Sequence, residues 1–348
     1  MRARSAVSPA AIVSLILLGV PGVLAHHSFA PHFDSSKPVS ISGTITRYEA
    51  RNPHSYLHLD AIDENGRTRA YVCESHGVTQ LTRNGLPPAM FKAGTAIRVS
   101  GSQSRRSPYM CFFDTVELAD GRRLSVNGQA APQESASRVR KDIFGAWMLA
   151  PIRNRSTSGP QPMSQFLTPA GQKAVAAYDP FRDDPTFRCD PVGIRRVWGA
   201  PGTPLEIVRD GADVVLRHEW MDVRRVVHMN MKEHPKNGAR GSLGHSIGHL
   251  EGDTLVIETA NFPAGVLNQY VEQPGQPTRG LLHSAALKVV ERIRLDAEGR
   301  RLVVEIDQTD PEFFSQPFPR GTLEYVPSSL TLEPFNCSPG DADGPIRK

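Results

Sequence analysis

Twelve histidines punctuate this 348-residue chain, and six of them precede residue 80: His26, His27, His32, His54, His58 and His76. The first two open the stretch HHSFAPHFD (26–34), directly behind a hydrophobic leader. If the leader is removed after Ala25, His26 becomes the amino-terminal residue. Such a histidine chelates through its α-amine and a ring nitrogen together, and a third imidazole completes a T-shaped set of nitrogens that suits copper(II). An α-amine, with a reference pKa of about 7.7–8.0, yields its proton to a metal near neutral pH. His54, behind the turn shaped by Asn52-Pro53, is the best third ligand. His58 lies four residues on, on the same strand face as His54 and Tyr56. The plainer alternative is that HHSF docks on a folded module and that His58 faces solvent between leucines. A softer set of Cys73, His76, Met110 and Cys111 would suit copper(I) if the thiols were reduced.

A second polar group lies far along the chain: His245, His249, Glu251, Asp253, His283, Glu291, Arg292 and Asp310. Glu251 and Asp253 flank Gly252 in an ordinary hairpin turn. In KVVERIRL (288–295) the alternation places Val289, Glu291 and Ile293 on one face. An inward-facing Glu291 needs a partner, with Arg224, Arg225 or a histidine available. The pair is then either a satisfied core network or, with His245 and His283, an acid–base set suited to isomerisation, dehydration or lyase chemistry. The chain lacks HExxH, P-loop and GxGxxG motifs. The glycine-rich GSLGHSIG (241–248) precedes a strand rather than a helix, which argues against a phosphate cradle.

The elements that must hold these groups read as four segments. Residues 1–25 have the layout of a secretory signal peptide: Arg2 and Arg4, an apolar run from Ala10 to Val20, and small residues before the cut. The run is shorter than the roughly 20 residues of a membrane span, and no other stretch is apolar enough, so no stable span is expected after cleavage. Residues 26–126 alternate apolar and polar positions in five runs, 39–50, 55–63, 67–75, 95–102 and 110–118, with a short helix near 77–84 between the third and fourth. Three strands, a helix and two strands is the order of an OB-like barrel. NGQAAPQESASRVRKD (127–142) reads as a linker. In 143–348 one device recurs at 210–219, 251–260 and 298–307: an acidic residue or Asp-Gly turn, then an apolar β-rich run. Each marks a hairpin, so the expectation is a larger antiparallel β-barrel or curved meander with few helices. One helix stands out at 169–178, with Thr168 as its cap. The fold class is therefore mainly β throughout.

Four cysteines in an exported chain read as disulfides. Three connectivities are open, and one bridge per module, Cys73–Cys111 and Cys189–Cys337, is favoured. In an OB-like barrel the third and fifth strands are neighbours, which fits the first pair. The formal charge of +4 falls to about +2 without the leader and favours neither nucleic acid nor an anionic membrane surface.

HHSFAPHFDSSKPVSISGTIT followed by NPH (52–54) resembles an uncharacterised family of small exported bacterial proteins defined by that mature amino terminus, over roughly residues 26–126. LGHSIGHLEGDTLVIETANF (243–262), HSAALKVVERIRL (283–295) and TDPEFF (309–314) resemble a second uncharacterised exported family, over roughly 143–340. Members of the second family begin near FGAW (144–147), which implies a module boundary there. That family usually carries an aromatic where this chain has Leu250. Neither resemblance implies a reaction. The leading expectation is an exported periplasmic binding protein, with copper at the amino terminus and a small, partly apolar ligand in the second module. The alternatives are a periplasmic enzyme using His245, His283 and Glu291, and a structural protein of the envelope.

Overall fold

The computed structural model describes residues 32–126, 138–150, 163–179, 182–200, 202–236, 241–270 and 279–337. The leader, His26, His27 and most of the expected linker lie outside the described residues. Alternating apolar residues give the first module six strands: β1 (Phe33–Glu49), β2 (His54–Ile62), β3 (Thr68–His76), β4 (Ala96–Ser104), β5 (Met110–Leu118) and β6 (Arg123–Ser125). The five long strands run in the order β3-β2-β1-β4-β5, and a parallel pairing of β3 with β5 closes the ring. This is the expected OB-like order, with helix α1 (Val78–Arg83) between β3 and β4. Inward residues such as Ile45, Leu57, Leu59, Val99, Phe113 and Val116 are almost fully buried, each contributing about 1.5–3 kcal/mol of transfer free energy. Gly101 sits where the β4–β5 register shifts; a Cβ there would come within 1.9 Å of the Phe112 carbonyl, so only glycine lets the strands approach. Cys73 and Cys111 are register partners on β3 and β5 and form a disulfide.

The second module is a closed barrel of nine strands. These are β7 (Gly145–Leu149), β8 (Leu205–Asp210), β9 (Asp213–His218), β10 (Val223–His228), β11 (His245–Glu251), β12 (Thr254–Ala260), β15 (Lys288–Leu295), β16 (Leu302–Thr309) and β17 (Gly321–Pro327). A separate hairpin, β13 (Gly265–Tyr270) with β14 (Arg279–His283), interrupts the sequence between β12 and β15. Pairing of β7 with β17 joins the two ends of the chain segment and removes the sheet edges. The three repeated turns each make the expected hairpin, with Gly211, Gly252 and Gly299 at positive φ. One junction departs from the antiparallel expectation: β10 and β11 pair in parallel, Val227 opposite Ser246 and His228 opposite Ile247.

Helix α2 (Pro169–Ala177) is the helix expected at 169–178, and the Thr168 side chain accepts from Gly171 N–H at its start. A third helix, α3 (Ile194–Trp198), gave no periodic signal; it is only five residues long. No helix among the described residues is long and apolar enough to cross a membrane. The barrel interior is occupied by side chains, including Trp147, Trp198, Ile207, Leu216, Ile257, Ile293, Val304 and Tyr325. A barrel filled in this way has its packed core where a ligand cavity was expected. Cys189 and Cys337 form the second disulfide, which pins the carboxy-terminal tail beside a smaller apolar cluster of Val192, Val197, Trp220, Met221 and Phe335.

Candidate functional site

The two modules meet around the sequence Asn52-Pro53-His54. Asn52 is buried, and its Nδ2 donates to the Phe335 carbonyl at 2.6 Å and to Thr79 Oγ1 at 2.8 Å. It therefore ties the start of β2 to α1 and to the tail stapled by Cys189–Cys337. Gly77 makes this possible: a Cβ there would lie 2.2 Å from Asn52 Oδ1. A second tie joins Arg83 of α1 to Glu219 beside β9, where both guanidinium nitrogens donate to the buried carboxylate, one of them at 2.6 Å. Glu219 also accepts from the Glu333 amide at 2.9 Å.

Between these ties lies a cavity of about 30 Å³. His54, His76 and Gln80 line it from the small barrel; Thr203, Trp220 and Phe335 line it from the large one. Its volume suits a water or an ion and falls far below the roughly 300–1,000 Å³ of organic-ligand pockets. His54 and His76 are direct cross-strand partners on β2 and β3, which places their Cβ atoms about 5 Å apart. His54 Nδ1 is ion-paired with Glu74. Burial pushes the His54 pKa down, but Glu74, with Asp184 behind it, outweighs burial and raises it. The carboxylate on Nδ1 fixes the ring and leaves Nε2 as the nitrogen for another partner.

His58 lies elsewhere. Although it shares a strand with His54, four residues of extended chain separate them by roughly 13 Å. Its Nε2 meets Glu49 Oε1 at 2.9 Å, and Arg47 approaches the same nitrogen at 3.1 Å. It is a partnered strand residue, and His76 on the adjacent strand takes the place beside His54 that His58 was expected to fill. The copper(I) alternative loses its thiols, since Cys73 and Cys111 are bonded to each other. Among the described residues no three His, Cys, Asp or Glu side chains gather closely enough to hold a metal ion, so this part of the chain offers at most a pair of imidazoles.

The polar residues of the large barrel do not converge on one point. Glu291 faces inward, as its alternation indicates, and is fully buried. Arg225 clamps it with two bonds of 2.6 Å, and the Trp198 indole donates to the same carboxylate. The Tyr325 hydroxyl donates to the Trp198 carbonyl; burial and the nearby Glu291 push its pKa up, which keeps it protonated. The His218 ring packs edge-on against Trp198, and burial, reinforced by Arg225, lowers its pKa to about 3. This is a satisfied core network. His283 is buried beside Phe262, with Nδ1 directed at the Ser284 carbonyl at 2.9 Å, and burial lowers its pKa. Ser284 in turn donates to Asp310 at 2.7 Å, and Asp310 also receives the Glu312 and Phe313 amides, so it serves as a loop cap. His245 contacts neither residue. Its Nδ1 lies 2.9 Å from Nδ1 of His234, and its ring stacks on His228. No hydrogen bond or ring contact joins any two of His245, His283 and Glu291. His249 pairs with Glu251 on the exposed end of the β11–β12 hairpin, where Leu250 is also exposed.

Sequence reasoning gave little weight to His76, Glu74 and Asn52. A hairpin centred on Asn65 sets His54 opposite His76 and Tyr56 opposite Glu74, so the turn Glu64-Asn65-Gly66 carried the necessary signal. His228 and His234 lie outside every quoted motif.

Residues 14–110 match a family of unknown function, DUF6152. The match takes in the six amino-terminal histidines and runs to the first residue of β5, covering less than a third of the chain. No curated protein matches the chain. The amino-terminal module is thus similar to an uncharacterised family, as expected of this part of the chain.

Proposed function

We propose that this chain is an exported protein that holds copper(II) at its processed amino terminus, with His54 and His76 completing a nitrogen site at the junction of the two modules. The observation that carries the reading is the ion-sized cavity flanked by these two cross-strand histidines. Cleavage after Ala25 would free the α-amine of His26, which with its own ring supplies two further nitrogens. Glu74, on Nδ1 of His54, would set the tautomer that presents Nε2 to the ion. Two disulfides suit an oxidising compartment outside the cytoplasm, where copper(II) persists. The large barrel then acts as a scaffold: Trp220 and Phe335 form one wall of the site, and the Cys189–Cys337 bridge holds that wall in place.

Calorimetric titration of the processed chain with copper(II) tests this. The expected result is one tight site whose affinity falls by about tenfold or more in His54→Ala and in His76→Ala. His54→Gln, which keeps a polar side chain of similar reach, controls for misfolding and should bind as weakly as the alanine variant. Unchanged affinity in both histidine variants would overturn the reading.

A further inference from the structure

A different histidine cluster lies at the crossover of the large barrel. The parallel pairing of β10 with β11 brings the end of one strand beside the start of the other, so His228 and His245 become neighbours. Their rings stack with centroids 5.0 Å apart and planes 23° from parallel. His228 is held in turn: its Nδ1 donates to Asp213 Oδ2 at 3.0 Å, while Asp213 Oδ1 accepts from the Met229 amide at 3.2 Å. From the other side comes His234, which follows β10 in the chain and is fixed by Asn261, whose Nδ2 donates to the neighbouring Pro235 carbonyl at 2.8 Å. Both supports aim at one place, where the Nδ1 atoms of His234 and His245 lie 2.9 Å apart with their rings nearly perpendicular, at 83°.

That spacing has two explanations. One imidazole can donate to the other, which uses a single proton. Alternatively both nitrogens face one cation: ligands about 2.05 Å from an ion and at right angles to each other lie about 2.9 Å apart, the cis arrangement of square-planar or octahedral copper(II) and nickel(II). Both side chains are partly exposed, so water can complete the coordination. A tetrahedral ion such as zinc would hold the same two nitrogens further apart, at about 3.3 Å.

We propose that His234 and His245 form a second metal site, a two-imidazole seat for copper(II) or nickel(II), with His228 as the positioning residue that holds the ring of His245. The site needs neither the amino terminus nor His54. Titration of the whole processed chain with nickel(II), followed by calorimetry and by amide NMR, tests it. A binding event is expected that broadens the Lys236 and Ser246 amides, that weakens by about tenfold or more in His234→Ala or His245→Ala, and that weakens by a few-fold in His228→Phe. His228→Phe keeps the stacked ring and removes only the tie to Asp213. His54→Ala should leave this event unchanged. His234→Gln, on the crossover rather than in the barrel, guards against loss through misfolding and should also weaken it. Broadening of the Lys236 and Ser246 amides that survives both His234→Ala and His245→Ala, or broadening that never appears at these amides, would overturn the proposal and leave a plain imidazole–imidazole hydrogen bond.

Discussion

Glu291 in the large barrel is buried and His54 in the small one is half-buried, each beside a group of opposite charge, Arg225 and Glu74 respectively. They differ in what is left over. Glu291 spends both carboxylate oxygens on Arg225 and Trp198, and the surrounding barrel is filled with aromatic and aliphatic side chains. His54 has one nitrogen tied to Glu74 and borders a cavity, with a second histidine across the strand. A buried charge with every bond satisfied and no space beside it is part of the core. A half-buried imidazole with one nitrogen fixed and an ion-sized space beside it can do chemistry. The difference teaches that partners and free volume, rather than the type of residue, separate a site from a core network.

The large-barrel side of this contrast can be broken most strongly at Arg225. Arg225→Met leaves the Glu291 carboxylate uncompensated and should lower unfolding stability by about 3–5 kcal/mol, whereas the double variant Arg225→Met, Glu291→Leu should recover most of that loss. Denaturant melts of the two variants check this. Equal destabilisation of both would mean that the ion pair itself carries the stability.

His218 sharpens the same point through pH. Its folded pKa is about 3, against an ordinary value of 6.5, because burial penalises the charged ring. Below pH 6.5 the unfolded chain takes up a proton that the folded chain refuses, so stability falls as pH drops from 6.5 toward 3. At pH 4.5 the loss amounts to about 2–3 kcal/mol, and His218→Phe, which keeps the ring against Trp198, should lack that share of the acid sensitivity. Urea midpoints at pH 7 and pH 4.5 measure it; an unchanged pH slope would contradict the assignment.

The smallest effect is expected in the small barrel, at Asp114 on β5. Burial raises its pKa to about 6, and no ion-pair partner stands beside it among the described residues. The folded state therefore holds this proton more tightly than the unfolded state does, and stability falls as pH rises from about 3.8 through 6. Asp114→Asn removes the penalty and, allowing for partial exposure of the side chain, should add about 1 kcal/mol at pH 7 and almost nothing at pH 4. Equal gains at both pH values would point to packing instead.

Much of this architecture was readable wherever local rules and global packing agree. The acidic-Gly turns at Gly211, Gly252 and Gly299 specify their hairpins through positive φ, and the strand–helix order before residue 126 specifies the OB-like ring and with it the Cys73–Cys111 pair. The inward face of Glu291 followed from alternation alone. What stayed hidden depends on chain segments meeting at a distance. The parallel β10–β11 contact arises from a crossover with no periodic signal, and it creates the His228–His245 stack. The choice of Arg225 over Arg224 is a matter of strand face, which a one-residue slip would reverse. The cavity belongs to neither module alone. His58 shares a strand face with His54 without lying beside it, because strands advance about 3.3 Å per residue.

The central claim rests on the backbone nitrogen of His26, and it is tested most directly by electron paramagnetic resonance of the copper(II)-loaded, processed chain beside a form carrying one additional glycine before His26. The added residue removes the free amine from His26 while leaving every side chain in place. The account predicts nitrogen-rich, tightly bound copper in the first protein and loss of that spectrum in the second. Identical spectra and equal copper content in the two would contradict it.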